Sequence, residues 1–233
     1  MNPSTHSIAT RASPIGPADP LRERILAAAA EIFAGEGYRS ADLQDVADAL
    51  GIGKGSVYRR FPTKRALFLA TVDDGMRRLK QSVESSIADV HEPLAQIAGA
   101  VRAYLAFFDG EPRLAELLIM ERAEFRDRKK PTYFEHRQAN IQRWRSLYAQ
   151  LMIEGRVRRM PIDRITDVVS NLVYGTMFTN HFAGRVKSFE EQAADILDVV
   201  FHGILADRGV RSSPKKGRRI GSDRTPAARR RKT

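Results

Sequence analysis

Cysteine is absent from the 233 residues, which excludes a disulfide scaffold and a thiolate metal site and fits a reducing cytosol. Long apolar runs are missing as well. Stretches such as LLIM and DVVF meet charged residues within a turn or so, and no segment reaches the length a membrane span needs. The opening MNPSTHSIATRASPIGPADP lacks the apolar core of a secretory signal, so a cytoplasmic protein is expected. The histidines (His6, His91, His136, His181, His202) form no i, i+4 metal pair, and no nucleophile elbow or triad pattern occurs. The expectation is therefore no metal, no cofactor and no enzymatic activity. No run alternates apolar and polar residues with period two, which leaves strands without a signal.

What is present is helical periodicity. Hydrophobic residues make up 42% of the chain, enough for a sizeable core. Leu21, Ile25, Ala28, Ala29, Ile32 and Phe33 share one helical face, and Gly35 and Gly37 supply a stop. Ser40 is placed to cap a second, short helix with Leu43, Val46, Ala47 and Leu50 on its apolar stripe, closed by Gly51. Thr63 can cap another. Apolar stripes at helical spacing then recur after Pro93, around Leu114–Phe125, after Pro131, and in two final segments at about 163–184 and 188–207. The fold class is all-α with about nine helices and no internal repeat. Residues 1–19 and 208–233 are poor in periodic apolar residues and are expected to be disordered.

The net charge of +11 is concentrated at one end. Ten basic residues and a single acid, Asp223, fall in Gly209–Thr233, so this tail holds +9 and the remainder only +2. The tail offers sequence-independent attraction to phosphates, or is a solvated terminus.

The stretch GIGKGSVYRRF, Gly51–Phe61, is the most informative. A P-loop would need glycine where Asp48 stands and Ser or Thr where Gly55 stands. A dinucleotide fingerprint would need glycine at Ser56 and a preceding strand. A helix-turn-helix accounts for more: Ala47 is small where two helices pack closely, Gly51 suits a left-handed turn, and Ile52 follows as the apolar residue. Val57 and Phe61, four apart, dock the second helix inward. Lys54, Gly55, Ser56, Tyr58, Arg59 and Arg60 then occupy its outward face or N-terminal edge, and from Gly53 to Thr71 there are five basic residues and no acid. Such a helix suits the major groove, with Gly55 allowing close backbone approach and Lys64 placed for a phosphate.

The run DVADALGIGKGSVYRRFPTKRAL, with RERILAAAAEIFAGEGY before it, resembles the N-terminal DNA-binding domain of TetR-like transcriptional repressors over about 48 residues, Leu21–Phe68. The resemblance implies a helix-turn-helix domain over 20–72 and an effector-binding and dimerisation domain over 73–207. It also implies phosphate contacts at Ser40 and Lys64, and base or backbone contacts at Lys54, Gly55, Ser56, Tyr58 and Arg59. Two positions depart from the family pattern: Gly53 stands where Ser or Ala is usual, and Arg65 where an acid is common. Phe107, Phe108, Met120, Trp144, Tyr148, Tyr174, Met177, Phe178 and His181 are candidates for lining an effector cavity. The last two helices resemble the family's dimer interface. The implied partners are double-stranded DNA, a small-molecule effector and a second copy of the chain, acting as a repressor on a palindromic operator. An architectural nucleoid role using the basic tail is the alternative.

Overall fold

The computed structural model describes residues 19–204, and among these it contains nine α-helices and no strand. They are α1 (Pro20–Ser40), α2 (Leu43–Leu50), α3 (Lys54–Tyr58), α4 (Lys64–Ser86), α5 (Pro93–Gly110), α6 (Pro112–Glu124), α7 (Thr132–Ile153), α8 (Ile162–Ala183) and α9 (Phe189–Ile204). The expected all-helical class and helix number therefore hold. The basic tail lies outside the described residues.

Chain chemistry explains most of the ends. Asp19 opens α1, its carboxylate accepting from the Leu21 and Arg22 amides at 3.1 Å, with Pro20 at a position where a missing N–H does no harm. The break expected at the glycines is at Gly37, whose φ of +82° is open to glycine and strained for other residues. Helical structure then resumes to Ser40, so Ser40 ends α1 and does not cap α2. The cap is Asp42, which accepts from the Gln44 amide at 2.7 Å while Asp45 accepts from the Asp42 amide, a reciprocal capping box.

The core is continuous from α1 to the base of α8. Ile25, Leu26, Phe33, Val46, Val57, Leu67, Phe68 and Val72 are buried together with Phe108, Leu114, Leu117 and Met177. The helix begun by Thr63 does not stop near residue 72. It runs unbroken to Ser86, so the boundary drawn at 72/73 falls inside α4. Phe33, Tyr38 and Phe68 pack edge-on or stacked with one another, and Phe125, just past α6, joins them at 4.9 Å from Tyr38 and 5.3 Å from Phe68. Where α4 passes α6 there is no side chain: a Cβ on Gly75 would lie 2.5 Å from a methyl carbon of Leu114.

The junction of α6 and α7 rests on a buried carboxylate. Glu121 is 1% exposed. It accepts from the Thr132 amide at 3.0 Å and hydroxyl at 2.9 Å, and pairs with Arg128 at 3.3 Å. It thus satisfies an amide of the α7 start, which Pro131 at the cap position does not. Removing one member of a buried pair leaves the others uncompensated. Glu121→Ala is therefore expected to lower stability by about 3 kcal/mol, read as a shift in the denaturant midpoint, whereas Glu135→Ala, which removes an exposed partner of Arg128, is expected to change it little.

Candidate nucleic-acid interface and candidate cavity

The α2–α3 unit is built as its sequence demands. Gly51 adopts φ +62°, ψ +35°, and the Ile52 amide donates to the Ala47 carbonyl at 3.0 Å, which closes α2 and turns the chain. Ile52 is half-buried, and Val57 and Phe61 are 0% and 4% exposed, so the five-residue α3 is seated by two anchors. Gly53 stands at its cap with no side-chain hydrogen bond, the consequence of having glycine where a hydroxyl would serve.

The outward face carries Gly53, Lys54, Gly55, Tyr58 and Arg59, all exposed, with Ser56 at its margin. Nothing lies within 4 Å of where a Cβ on Gly55 would be, so the backbone there is open to a close approach. Lys54 is held in place by the Asp42 carboxylate at 3.3 Å and sits 5.6 Å from the Tyr58 ring centre. The Gln44 amide and Lys54 beside Asp42 hold its carboxyl below the usual range. Arg59 donates to the Ser56 hydroxyl at 3.1 Å. Ser40 is exposed at the end of α1.

Arg60, expected on the outward face, and Lys64, expected at a phosphate, both have partners within the chain. Arg60 turns back to Asp19, Nε to Oδ2 at 2.7 Å, and also donates to the Ser56 carbonyl, tying the cap of α1 to the end of α3. Lys64 donates to the carbonyls of Arg39 and Ala41 at 2.9 Å each, over the Tyr38 ring. Its ammonium meets carbonyls left without partners where α1 ends, because α4 starts directly beneath them. Asp19, which sequence inspection assigned to the arm, thus belongs to this unit. Its only sequence signal was its place before Pro20.

A cavity of about 310 Å³ lies between α4, α5, α7 and α8. Of the residues expected to line one, Trp144 and Tyr148 do so. Phe107, Phe108, Met120, Met177 and Phe178 instead belong to the core around the head-facing end of the body, Tyr174 packs against that core and borders a separate pocket with Leu118, Tyr133 and Phe134, and His181 bonds Glu116 at 2.9 Å. Those residues sit low on α5, α6 and the second half of α8, below the cavity. The missed ones, Tyr133, His136, Arg137 and Asn140, continue the Trp144 and Tyr148 face toward the start of α7. That three-and-four spacing was available in the sequence, but polar residues do not stand out as a stripe.

His136 reaches across to α4, bonding Asp73 at 2.8 Å. The His136 hydrogen bond, aided by Arg77, holds the Asp73 carboxyl below its ordinary value. A carboxylate lowered on folding contributes stability that is full above its unfolded pKa, near 3.8, and is lost as pH falls through the folded value. The unfolding midpoint is therefore expected to drop below about pH 4, with a smaller pH dependence in Asp73→Asn over that acid range.

The comparisons with known proteins agree with this helix-turn-helix head. Residues 25–71 match the family "Bacterial regulatory proteins, tetR family". The transcriptional activator FasR of Mycolicibacterium smegmatis is 29% identical over 44% of this chain and 47% of its own length. The chain thus spans about half the length of that relative, and likewise of a Mycobacterium tuberculosis regulator that is 32% identical over 46% of its length. The repressor KstR2 of M. smegmatis is 24% identical over 81% of this chain and 92% of its own. Among solved structures, the fatty acid degradation regulator FadR of Bacillus halodurans shares the fold, with a TM-score of 0.69 at 14% identity over 80% of this chain and 97% of its own. Over residues 25–71 the chain resembles the DNA-binding head of TetR-like transcriptional regulators, and its overall fold is theirs. No helix among the described residues is long and apolar enough to cross a membrane.

Proposed function

We propose that the chain is a repressor that binds a palindromic operator as a homodimer and is released by a small molecule held in the cavity between α4, α5, α7 and α8. The observation that carries the DNA-binding part is the exposed Lys54, Gly55, Tyr58 and Arg59 on a helix whose other side is anchored by Val57 and Phe61. In this reading α3 enters the major groove, with Ser56 and Ser40 at its edges. Arg60 and Lys64 act chiefly by fixing where α3 sits, and each retains a charge facing the phosphates.

The dimer reading is supported by apolar groups left open on the last two helices. Val168 and Phe182 lie on one side of α8, with Gly175 open between them, and Val199 is exposed on α9. Apolar side chains spaced along neighbouring helices suit a helix bundle formed with a second copy. A two-fold pair presents two recognition helices about 34 to 36 Å apart, one turn of DNA.

Selection from a random duplex pool, followed by sedimentation of the complex, tests this. The expected product is an inverted repeat bound by two chains. Tyr58→Ala and Arg59→Ala are each expected to weaken binding to the selected site by about tenfold or more, with the fold intact by circular dichroism. Recovery of sequences without two-fold symmetry, or undiminished binding by both variants, would overturn the proposal. A tail-driven architectural role would appear as equal affinity for selected and random DNA.

A further inference from the structure

Two residues that line the cavity each bury a polar atom with no hydrogen-bond partner among the described residues: Tyr148 its hydroxyl and Arg137 its Nε. Tyr148 is only 2% exposed. A buried donor without an acceptor costs free energy, and a phenol in apolar surroundings keeps its proton. Burial indeed pushes the Tyr148 hydroxyl well above its ordinary value. Tyr133 is pushed up to about 12 by burial, but its hydroxyl already meets that of Tyr104 at 3.2 Å.

The charges around the cavity have one excess sign. Lys80, Arg137 and Arg143 line it against Glu84, which Lys80 already pairs at 3.8 Å. His136 is engaged by Asp73 and Arg137 by Asp167. No lining carboxylate is left without a cation. The rest of the wall is mainly apolar, with Met76, Leu79 and Trp144 among its residues, and adds the polar Asn140, Thr166 and Ser170. The volume is at the small end of the range for organic ligands. A cation would enter against positive charge with no free carboxylate to meet it, whereas an acceptor oxygen would satisfy a donor that the protein leaves unsatisfied.

Resting on the effector role proposed above, we infer that the cavity takes a largely apolar, uncharged or anionic organic molecule whose ketone, ester or carboxylate oxygen accepts a hydrogen bond from Tyr148. Arg137 Nε, on the same face of α7 and about 16 Å away along the helix axis between Cα atoms, provides a second donor for a ligand with another acceptor further along its body.

The chain carries a single tryptophan, Trp144, and it lines this cavity, so its fluorescence reports occupancy. Four probes of matched shape are titrated into the full-length protein: benzylacetone (ketone), hydrocinnamate (carboxylate), isopentylbenzene (no acceptor) and phenylpropylammonium (cation). The ketone and carboxylate are expected to bind about tenfold more tightly than the hydrocarbon and the ammonium. In Tyr148→Phe the ketone should lose that advantage while the hydrocarbon binds as before. This variant removes only an unpartnered hydroxyl, so its thermal midpoint is expected to stay level or rise. Equal binding of ketone and hydrocarbon, stronger binding of the ammonium, no saturable response to any probe, or a ketone preference that survives Tyr148→Phe would each overturn the assignment. The effector role is read separately, from operator binding in the presence of the same probes. Acceptor-selective binding that leaves DNA affinity unchanged would retain the ligand class and remove the effector role.

Discussion

The packing of one unbroken helix, α4, is what the rest of the molecule depends on. Its first turns are buried against α1 through Leu67, Phe68 and Val72, and its later turns supply Met76, Leu79 and Val83 to the cavity wall. A helix interior transmits displacement because its backbone hydrogen bonds resist local bending. The position of α3 is in turn set from the start of α4, where Lys64 grips the carbonyls at the end of α1 and the beginning of the α2 approach. The cavity and the exposed face of α3 are therefore parts of one packed object.

A second line of contact runs beside it. The first turn of α7 borders the cavity with Tyr133 and His136, and the Thr132 amide just before them is held by Glu121 of α6. Beyond the end of α6, Phe125 enters the aromatic cluster with Tyr38 and Phe68, and Asp127 pairs with Arg65 at 2.6 Å. Arg39 adds a pair with Glu124 at 3.0 Å. Exposed pairs of this kind contribute little to stability, but they set register between packed surfaces. The Arg65 that departs from the family pattern has its partner here, on the body, and its guanidinium also lies 5.0 Å from the Phe125 ring centre. A ligand shifts such an assembly only by the difference in its affinity for two arrangements of these contacts.

Much of the head was legible because its residues are constrained locally. Gly51 must adopt a left-handed turn, Val57 and Phe61 must face the same way, and Thr63 must precede a helix; each constraint acts over a few residues. Legibility failed where a side chain's partner is distant in sequence. The intrachain partners of Arg60 and Lys64 could not be read because Asp19 and the Arg39 and Ala41 carbonyls are 41, 25 and 23 residues away. Ser40 lost the cap to Asp42 because a glycine break inside α1 let helical structure resume beyond it. In the body, aromatic residues of α5, α6 and α8 could fill a core or line a cavity equally well by composition. Only the placement of α7 against α4 decides that Trp144 and Tyr148 face the open space while Phe178 and Met177 do not.

Gly75 has a consequence for how the two halves of this object can rearrange. It sits on α4 between the aromatic cluster and the cavity, where Leu114 of α6 presses against bare backbone. Knobs and holes lock neighbouring helices at discrete settings, but a bare stretch has no knob, so at this crossing α6 can slip along α4 without first climbing over a methyl group. Alanine there would act as a detent, wedging the two rods apart and changing the angle at which the body carries its reading head.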